Sequence, residues 1–334
     1  MFVRFYIFLC SMIVFSLIAP QVSHAESGAQ TRSNPDVKRM ELFKEIEKNF
    51  DIPWYYIAAI DQYEHSIRNA RKDLPDSDGP IGILVPPEKW SGLANPDPYD
   101  TNPGSILFFG GMGRDGNHDG VASPKNDMDI LASIAGFLKG FGNSDDNIRI
   151  GLWKYYQRDK AVGIVMGNAK LFKKYNRIDL QEKVFPVPLT SHYSYRSTWG
   201  VARGWGGRRS HEGTDIFANY GVPVRATGYG IVEIKGWNRF GGWRIGIRDI
   251  NNTYHYFAHL NGFNKGIEIG QTVEPGMVIG SVGATGYGPP GTSGKFPPHL
   301  HFGMYKDNGY TEWSFDPYYY LRLWERNERL KNRK

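Results

Sequence analysis

The pentapeptide Pro298-His299-Leu300-His301-Phe302 restricts the chain's choices more than any other stretch. Side chains alternate faces along an extended strand, so His299 and His301 point into one space while Leu300 and Phe302 pack on the opposite side. The result is a ligand pair in prospect, carried on a strand. Upstream, Ser210-His211-Glu212-Gly213-Thr214-Asp215 sets His211 and Asp215 at an even spacing that suits one face of a strand and also one face of a helix. Gly213 and the run Gly204-Trp205-Gly206-Gly207 argue against the helix, where glycine is costly. Together the two segments offer imidazoles and a carboxylate at spacings that fit one metal ion. Two neutral imidazoles and one carboxylate leave a dication with charge to spare and a position open for water, which is what catalytic zinc requires.

The texture around these segments is that of a sheet. Short runs rich in valine, isoleucine and aromatics alternate with glycine turns at 222–226, 230–235, 243–250, 253–259, 277–282 and 299–305. Such spacing predicts an antiparallel sheet or barrel-like sandwich. Gly283 to Pro297 is dense in Gly, Pro and Ser and is expected to form a lip walling a groove. Ahead of it all, Phe185-Pro186-Val187-Pro188 closes a helical region, because proline at alternate positions cannot continue a helix. Within that region Leu42, Phe43, Ile46 and Phe50 recur at helical spacing, Asn34-Pro35 reads as a cap with proline following, and a second helix should start near Pro53 with Tyr56, Ile57 and Ile60 inside.

At 334 residues two domains are the expectation, and hydrophobic residues at 40% suit globular folding. The net charge of +6 favours an anionic setting without choosing among wall polymer, nucleic acid and membrane. The amino terminus narrows this: Arg4 precedes an apolar run from Phe5 to Pro20, and Ser23-His24-Ala25 has the small residues of a signal-peptidase site, so cleavage after Ala25 and export are predicted. The only cysteine, Cys10, lies in this segment. The mature chain then has no disulfide and no thiolate ligand.

With these residues in view, the stretch from Phe185 to Tyr319 resembles the M23, or lysostaphin and LytM type, zinc endopeptidases of bacterial cell walls. His211-Glu212-Gly213-Thr214-Asp215 is similar to the H-x-x-x-D motif of that family, Tyr254-His255-Tyr256-Phe257-Ala258-His259 to its middle strand, and Pro298-His299-Leu300-His301 to its H-x-H. The resemblance implies one zinc per chain on His211, Asp215 and His301, catalytic His299 and His259 beside the attacking water, and peptidoglycan as substrate, with no nucleic acid and no membrane contact beyond the export segment. No H-E-x-x-H occurs, so histidines must replace a glutamate base.

The first half resembles, more faintly, lysozyme-like lytic transglycosylases: Ala58-Ala59-Ile60-Asp61-Gln62-Tyr63-Glu64 is similar to their catalytic-glutamate helix and Gly79-Pro80-Ile81-Gly82-Ile83-Leu84-Val85 to their next motif. It departs from them at His65 and Val85, where that family has serine and glutamine. The implied fold class is a two-domain chain, a mainly α lysozyme/transglycosylase-like N-terminal half followed by an antiparallel all-β M23 (duplicated hybrid motif-like) domain. The expected divisions are a signal peptide at 1–25, a linker at 26–36, a helical domain at 37–180, a zinc peptidase domain at 181–320 and a basic tail at 321–334 that attracts anionic wall polymers. The pairing of these halves resembles sporulation endopeptidases that cut L-Ala–D-Glu, acting outside the cell on wall or spore peptidoglycan. Glycan cleavage by Glu64 and a non-catalytic wall-binding or activator role stand as the alternatives.

Other candidates have plainer readings. Asp115-Gly116-Asn117-His118-Asp119-Gly120 imitates a calcium loop but has Asn126 where the bidentate glutamate belongs, and reads better as a glycine-rich turn with Asx caps. His192 and His255 are expected to be hydrogen-bonded structural residues, and Arg208 and Arg209 solvated charges. Tyr193 and Tyr195 either reach the site as donors or pack. Glu212, between the motif residues, is expected on the other face of a strand.

Overall fold

Prolines and asparagines punctuate the helical half. The helices are α1 (Pro35–Phe50), α2 (Trp54–Ala70), α3 (Pro87–Trp90), α4 (Pro103–Phe108), α5 (Asp127–Lys139), α6 (Asp145–Tyr156) and α7 (Asp159–Tyr175). Three start with Pro, whose fixed φ and missing N–H suit a first turn. Asn102, Asn126 and Ser144 cap α4, α5 and α6 by accepting first-turn backbone N–H groups. The computed structural model describes residues 35–77, 79–204 and 208–333. The expected signal peptide with Cys10, the Asn34 cap, the linker up to 34 and the glycines at 206 and 207 lie outside the described residues.

The apolar spacing in the first two helices is realised as core. Phe43 and Ile46 of α1 and Tyr56, Ile57 and Ile60 of α2 are buried. α2 is buried nearly all round, and a polar pair comes with it: Arg39 on α1 donates to Asp61 at 2.7 Å, both inside. The segment 115–120 is a turn, as the plainer reading has it. Asp115 accepts from the N–H groups of Asp119 and Gly120 at 3.1 and 2.8 Å, so its oxygens serve the loop's own backbone.

The second half is an antiparallel sheet. Its strands are β1 (Tyr193–Tyr195), β2 (Ala202–Arg203), β3 (Arg209–Ser210), β4 (Thr214–Ala218), β5 (Pro223–Arg225), β6 (Gly230–Asn238), β7 (Gly242–Asp249), β8 (Thr253–Phe263), β9 (Thr272–Val273), β10 (Val278–Val282), β11 (His299–Asp307) and β12 (Glu312–Phe315). The main order is β1-β4-β11-β8-β7-β6-β9, with β12 on β11, and β10 joining β5 to the far end of β8. β2 and β3 pair antiparallel as a separate two-stranded sheet. Ile216, Phe257, Leu300 and Phe302 fill the back of the sheet, and the final helix α8 (Tyr318–Lys331) covers it with Leu321 and Trp324. What reads from the sequence as a basic tail from 321 is thus also a piece of this core.

Helices and sheet are fastened together. Arg158, at the start of α7, makes a two-pronged pair with Asp307 at the end of β11, at 2.8 and 2.6 Å, and Asp307 is fully buried. Lys160 reaches Glu312 on β12 at 2.8 Å, and Gly167 of α7 leaves room for Ile231 of β6. No helix among the described residues is long and apolar enough to cross a membrane.

His255 is structural, as expected. It is buried between Thr227 Oγ1 at 2.9 Å and Asp249 Oδ2 at 3.1 Å, and Lys183 neutralises Asp249 at 2.8 Å. His192 differs from its expectation, since it is exposed at the sheet edge.

Two outcomes follow for stability. Asp307→Ala strands the Arg158 guanidinium and should cost about 3 kcal/mol, seen as a lower urea midpoint. Burial pushes His255 below its ordinary 6.5 although Asp249 pulls the other way. Below that value the unfolded chain holds a proton that the native one lacks, so stability rises with pH across this window and is lost as pH falls. Urea midpoints measured at about pH 7.5 and about pH 5.5 should show this slope, and His255→Gln should flatten it by one proton's worth.

Candidate metal centre and groove

Backbone pairing brings the motif residues together. β11 and β4 run antiparallel in a register that sets His301 opposite Asp215 and His299 opposite Phe217. Leu300 and Phe302 are fully buried behind, so the alternation read from the sequence holds. His211 arrives differently. The chain leaves β3 at Ser210 and bends through 211–213 before β4 begins at Thr214, so His211 and Asp215 do not share a regular strand. Gly213 lies in the bend and lets the chain pass close to β11, since a Cβ there would sit 2.6 Å from the Phe302 carbonyl oxygen and 2.7 Å from the His301 ring. His211 Nε2 lies 2.9 Å from His301 Nδ1 and 3.1 Å from Asp215 Oδ1, and His301 Nδ1 lies 3.1 Å from that same oxygen. These three residues are the His/Asp cluster able to share one ion among the described residues.

The bend also redirects Glu212. It does not turn to the far face. Its Oε2 accepts from the Tyr305 hydroxyl at 3.1 Å and the residue lines the groove.

His259 reaches the site through a bulge. Between the pairs Ile245↔Phe257 and Trp243↔Leu260, β8 holds one residue more than β7, and His259 takes the left-handed φ of 61°. The extra residue lets Ala258, opposite His301, and His259 both serve the groove side. For a residue other than glycine that backbone costs on the order of 1 kcal/mol. The His259 ring is 4.8 Å from that of His299, centroid to centroid.

The same arrangement recurs at three imidazoles. Nδ1 of His211, His259 and His299 each meets a main-chain carbonyl, of Thr198, Thr285 and Pro297, at 2.8 Å. A carbonyl only accepts, so Nδ1–H is the donor and each Nε2 is left with its lone pair. His299 Nε2 is buried with no hydrogen-bond partner, 3.7 Å from Asp215 Oδ1. Burial lowers the pKa of His259, His299 and His301, keeping them neutral. Burial alone would raise Asp215, but hydrogen bonds to His211 and His301 outweigh it and hold the carboxyl well below the usual range. Neutral nitrogen donors around one carboxylate, with a further buried nitrogen unpartnered beside them, fit a zinc ion.

A groove of about 490 Å³ opens from this cluster, lined by Arg203, Arg209, Arg244, Tyr256, Tyr287 and Tyr305 among others. The 283–297 segment does wall it: Phe296 packs edge-on against His259 at 4.6 Å and Tyr287 stacks on it at 6.1 Å. Internal hydrogen bonds, such as Gly286 N–H to Thr292 O at 2.9 Å, shape this lip. Arg209 is not a solvated charge. It lies over the Phe240 and Tyr287 rings at 4.7 and 5.1 Å. Arg208 is exposed. Arg203, which sequence reasoning passed over, donates to Asp215 Oδ2. Tyr193 and Tyr195 do not reach the site; both donate to Glu325 of α8 and pack on Phe185.

Glu64 on α2 is a separate feature. It is buried, accepts from the Tyr156 hydroxyl at 2.8 Å, and burial raises its carboxyl to about 7 against the pull of that hydrogen bond.

Comparison with known proteins adds a family. The model of peptidase family M23 matches residues 209–315. The L-Ala–D-Glu endopeptidase of Bacillus subtilis is 65% identical over 296 residues, 89% of this chain and 91% of that one. The glycyl-glycine endopeptidase ALE-1 of Staphylococcus capitis is 33% identical over 34% of this chain and 29% of its own. Among solved structures, the catalytic domain of lysostaphin from Staphylococcus simulans aligns with 40% of this chain and 92% of that chain at 29% identity and TM-score 0.32.

Zinc titrated into chelator-treated protein should bind at one equivalent and raise the thermal midpoint, since only the native chain assembles the ligands. Calorimetry on Asp215→Ala and His301→Ala should show that equivalent lost.

Proposed function

This chain belongs to peptidase family M23, and on that premise we propose that it hydrolyses the L-Ala–D-Glu bond of peptidoglycan stem peptides with one zinc ion held by His211, Asp215 and His301. It is a metallo-endopeptidase acting on peptidoglycan. The observation that carries the reading of the site is the convergence of His211, fixed by the Thr198 carbonyl, and His301 on the Asp215 carboxylate. The bond assignment draws on the relative from Bacillus subtilis, which matches nine-tenths of both chains.

When bound, zinc would supply a Lewis acid and lower the pKa of a water on it toward neutrality. The rest is the work of this chain's side chains. His299 Nε2, buried and with its lone pair free, takes a proton from the attacking water. The resulting imidazolium is stabilised by Asp215, 3.7 Å away. As the carbonyl carbon becomes tetrahedral, His259 beside His299 helps hold the charge that develops on its oxygen. Collapse breaks the C–N bond and returns the proton to the departing amine. Phe296 and Tyr287, packed on His259, keep bulk water from that side.

The segment 1–25 exports the enzyme, which acts at the cell wall or on spore cortex. The helical half, 37–180, grips glycan strands while 181–320 cuts. Exposed Arg322, Arg326 and Arg333 on and after α8 draw anionic wall polymer. The alternative of glycan cleavage has behind it the buried Glu64, whose carboxyl burial raises to about 7 and which accepts from the Tyr156 hydroxyl.

Mass spectrometry of peptidoglycan digested by the mature protein tests both. New amino termini at D-Glu, absent with chelator, are expected; anhydro-sugar ends sensitive to Glu64→Gln would move the reaction to the helices. His299→Ala should keep its zinc yet lose about 10²- to 10⁴-fold in rate, whereas His301→Ala should lose both.

A further inference from the structure

Cleaving before a D-Glu residue sets the groove a recognition problem. Glutamate has two carboxyls and only one continues the chain, so the residue that follows the scissile nitrogen brings a free carboxylate into the groove. A cation on the leaving-group side of the groove would recognise it. Of the arginines lining the groove, Arg203 is engaged by Asp215, and Arg209 is sandwiched by aromatic rings with its Nη2 donating to the Tyr287 hydroxyl. Arg244 differs from both. Among the described residues it has no carboxylate partner and lies over no ring, and its Nε is buried without a hydrogen-bond partner.

Its position is set by register. On β7, Arg244 lies between Trp243, paired with Leu260, and Ile245, paired with Phe257, so it sits at the bulge that delivers His259. Ile245 and Phe257 go to the core, which puts Arg244 on the face shared with Tyr256 and Ala258, and on β11 with His301 and Tyr305. The guanidinium lies beside the Tyr256 hydroxyl. Along this face Gly246, Tyr256 and Gly303 are in register, so two of three neighbouring strands present no side chain there. The carboxylates that share the groove do not neutralise Arg244: Glu312 is taken by Lys160 and Arg248, and Glu212 accepts from Tyr305.

We propose that Arg244 is the subsite for the free carboxylate of the substrate's glutamyl residue, selecting stem peptides in which that carboxylate is not amidated. The inference rests on the L-Ala–D-Glu reading above. A guanidinium pairs with a carboxylate through parallel N–H donors, whereas a carboxamide offers one acceptor and a repelled N–H₂.

The test compares wild type, Arg244→Gln and Arg244→Lys on a peptide containing L-Ala–D-Glu and on its counterpart with that carboxylate converted to carboxamide. In the zinc-loaded wild type, kcat/KM should favour the free acid by about tenfold to a hundredfold, the range of a charged hydrogen bond. Arg244→Gln should bring the ratio near one, mainly through KM for the acid, and Arg244→Lys should restore part of it. Binding of the product peptide that begins with D-Glu, measured by calorimetry on metal-free protein, should weaken by a similar factor in Arg244→Gln and little for the carboxamide. An unchanged ratio and unchanged product binding in Arg244→Gln would overturn the assignment. If wild type cuts neither peptide, the bond assignment fails instead, and the binding arm still decides for or against Arg244.

Discussion

A main-chain carbonyl oxygen can accept a hydrogen bond but never donate one, and the groove is built on that asymmetry. By meeting the Nδ1 of His211, His259 and His299, the carbonyls of Thr198, Thr285 and Pro297 choose the tautomer of each ring and aim the other nitrogen inward. Side-chain partners could rotate or titrate; a backbone carbonyl in a folded loop does neither. Three of the residues that the sequence marks out therefore owe their chemistry to carbonyls outside the motifs, at Thr198 and, in the 283–297 lip, at Thr285 and Pro297.

Strand β11 is the spine of this arrangement. At its start it carries His299 and His301, along its back Leu300 and Phe302 enter the core, and at its end Asp307 locks onto Arg158 of the helical half. β4 on one side supplies Asp215 by register, and β8 on the other supplies His259 by breaking register. The left-handed backbone at His259 is a strain that the surrounding pairings over-determine, and it lies where the chemistry is proposed.

How far the sequence could be read depended on the range of the interaction concerned. Period-two alternation is local, so the His299 and His301 pair and its core side could be read directly. The change from helices to strands near 185 was legible for the same reason. His259 could be found only by its likeness to a family motif, because a bulge defeats strand parity. Glu212 faces away only if His211 to Asp215 is one strand; the break at 211–213, where Gly213 sits against β11, turns it into the groove. Tyr193 and Tyr195 have a partner, Glu325, over a hundred positions away, which no local pattern announces. Arg203 and Arg244 carry no motif at all, and their meaning comes from what the fold places beside them.

The Arg158–Asp307 pair has a consequence for ancestry. A carboxylate sealed inside a sheet and neutralised, among the described residues, from a neighbouring helix ties the fate of the catalytic portion to its companion. Shuffling the peptidase portion alone into a new gene would carry with it an orphaned charge at the end of the very strand that bears His301.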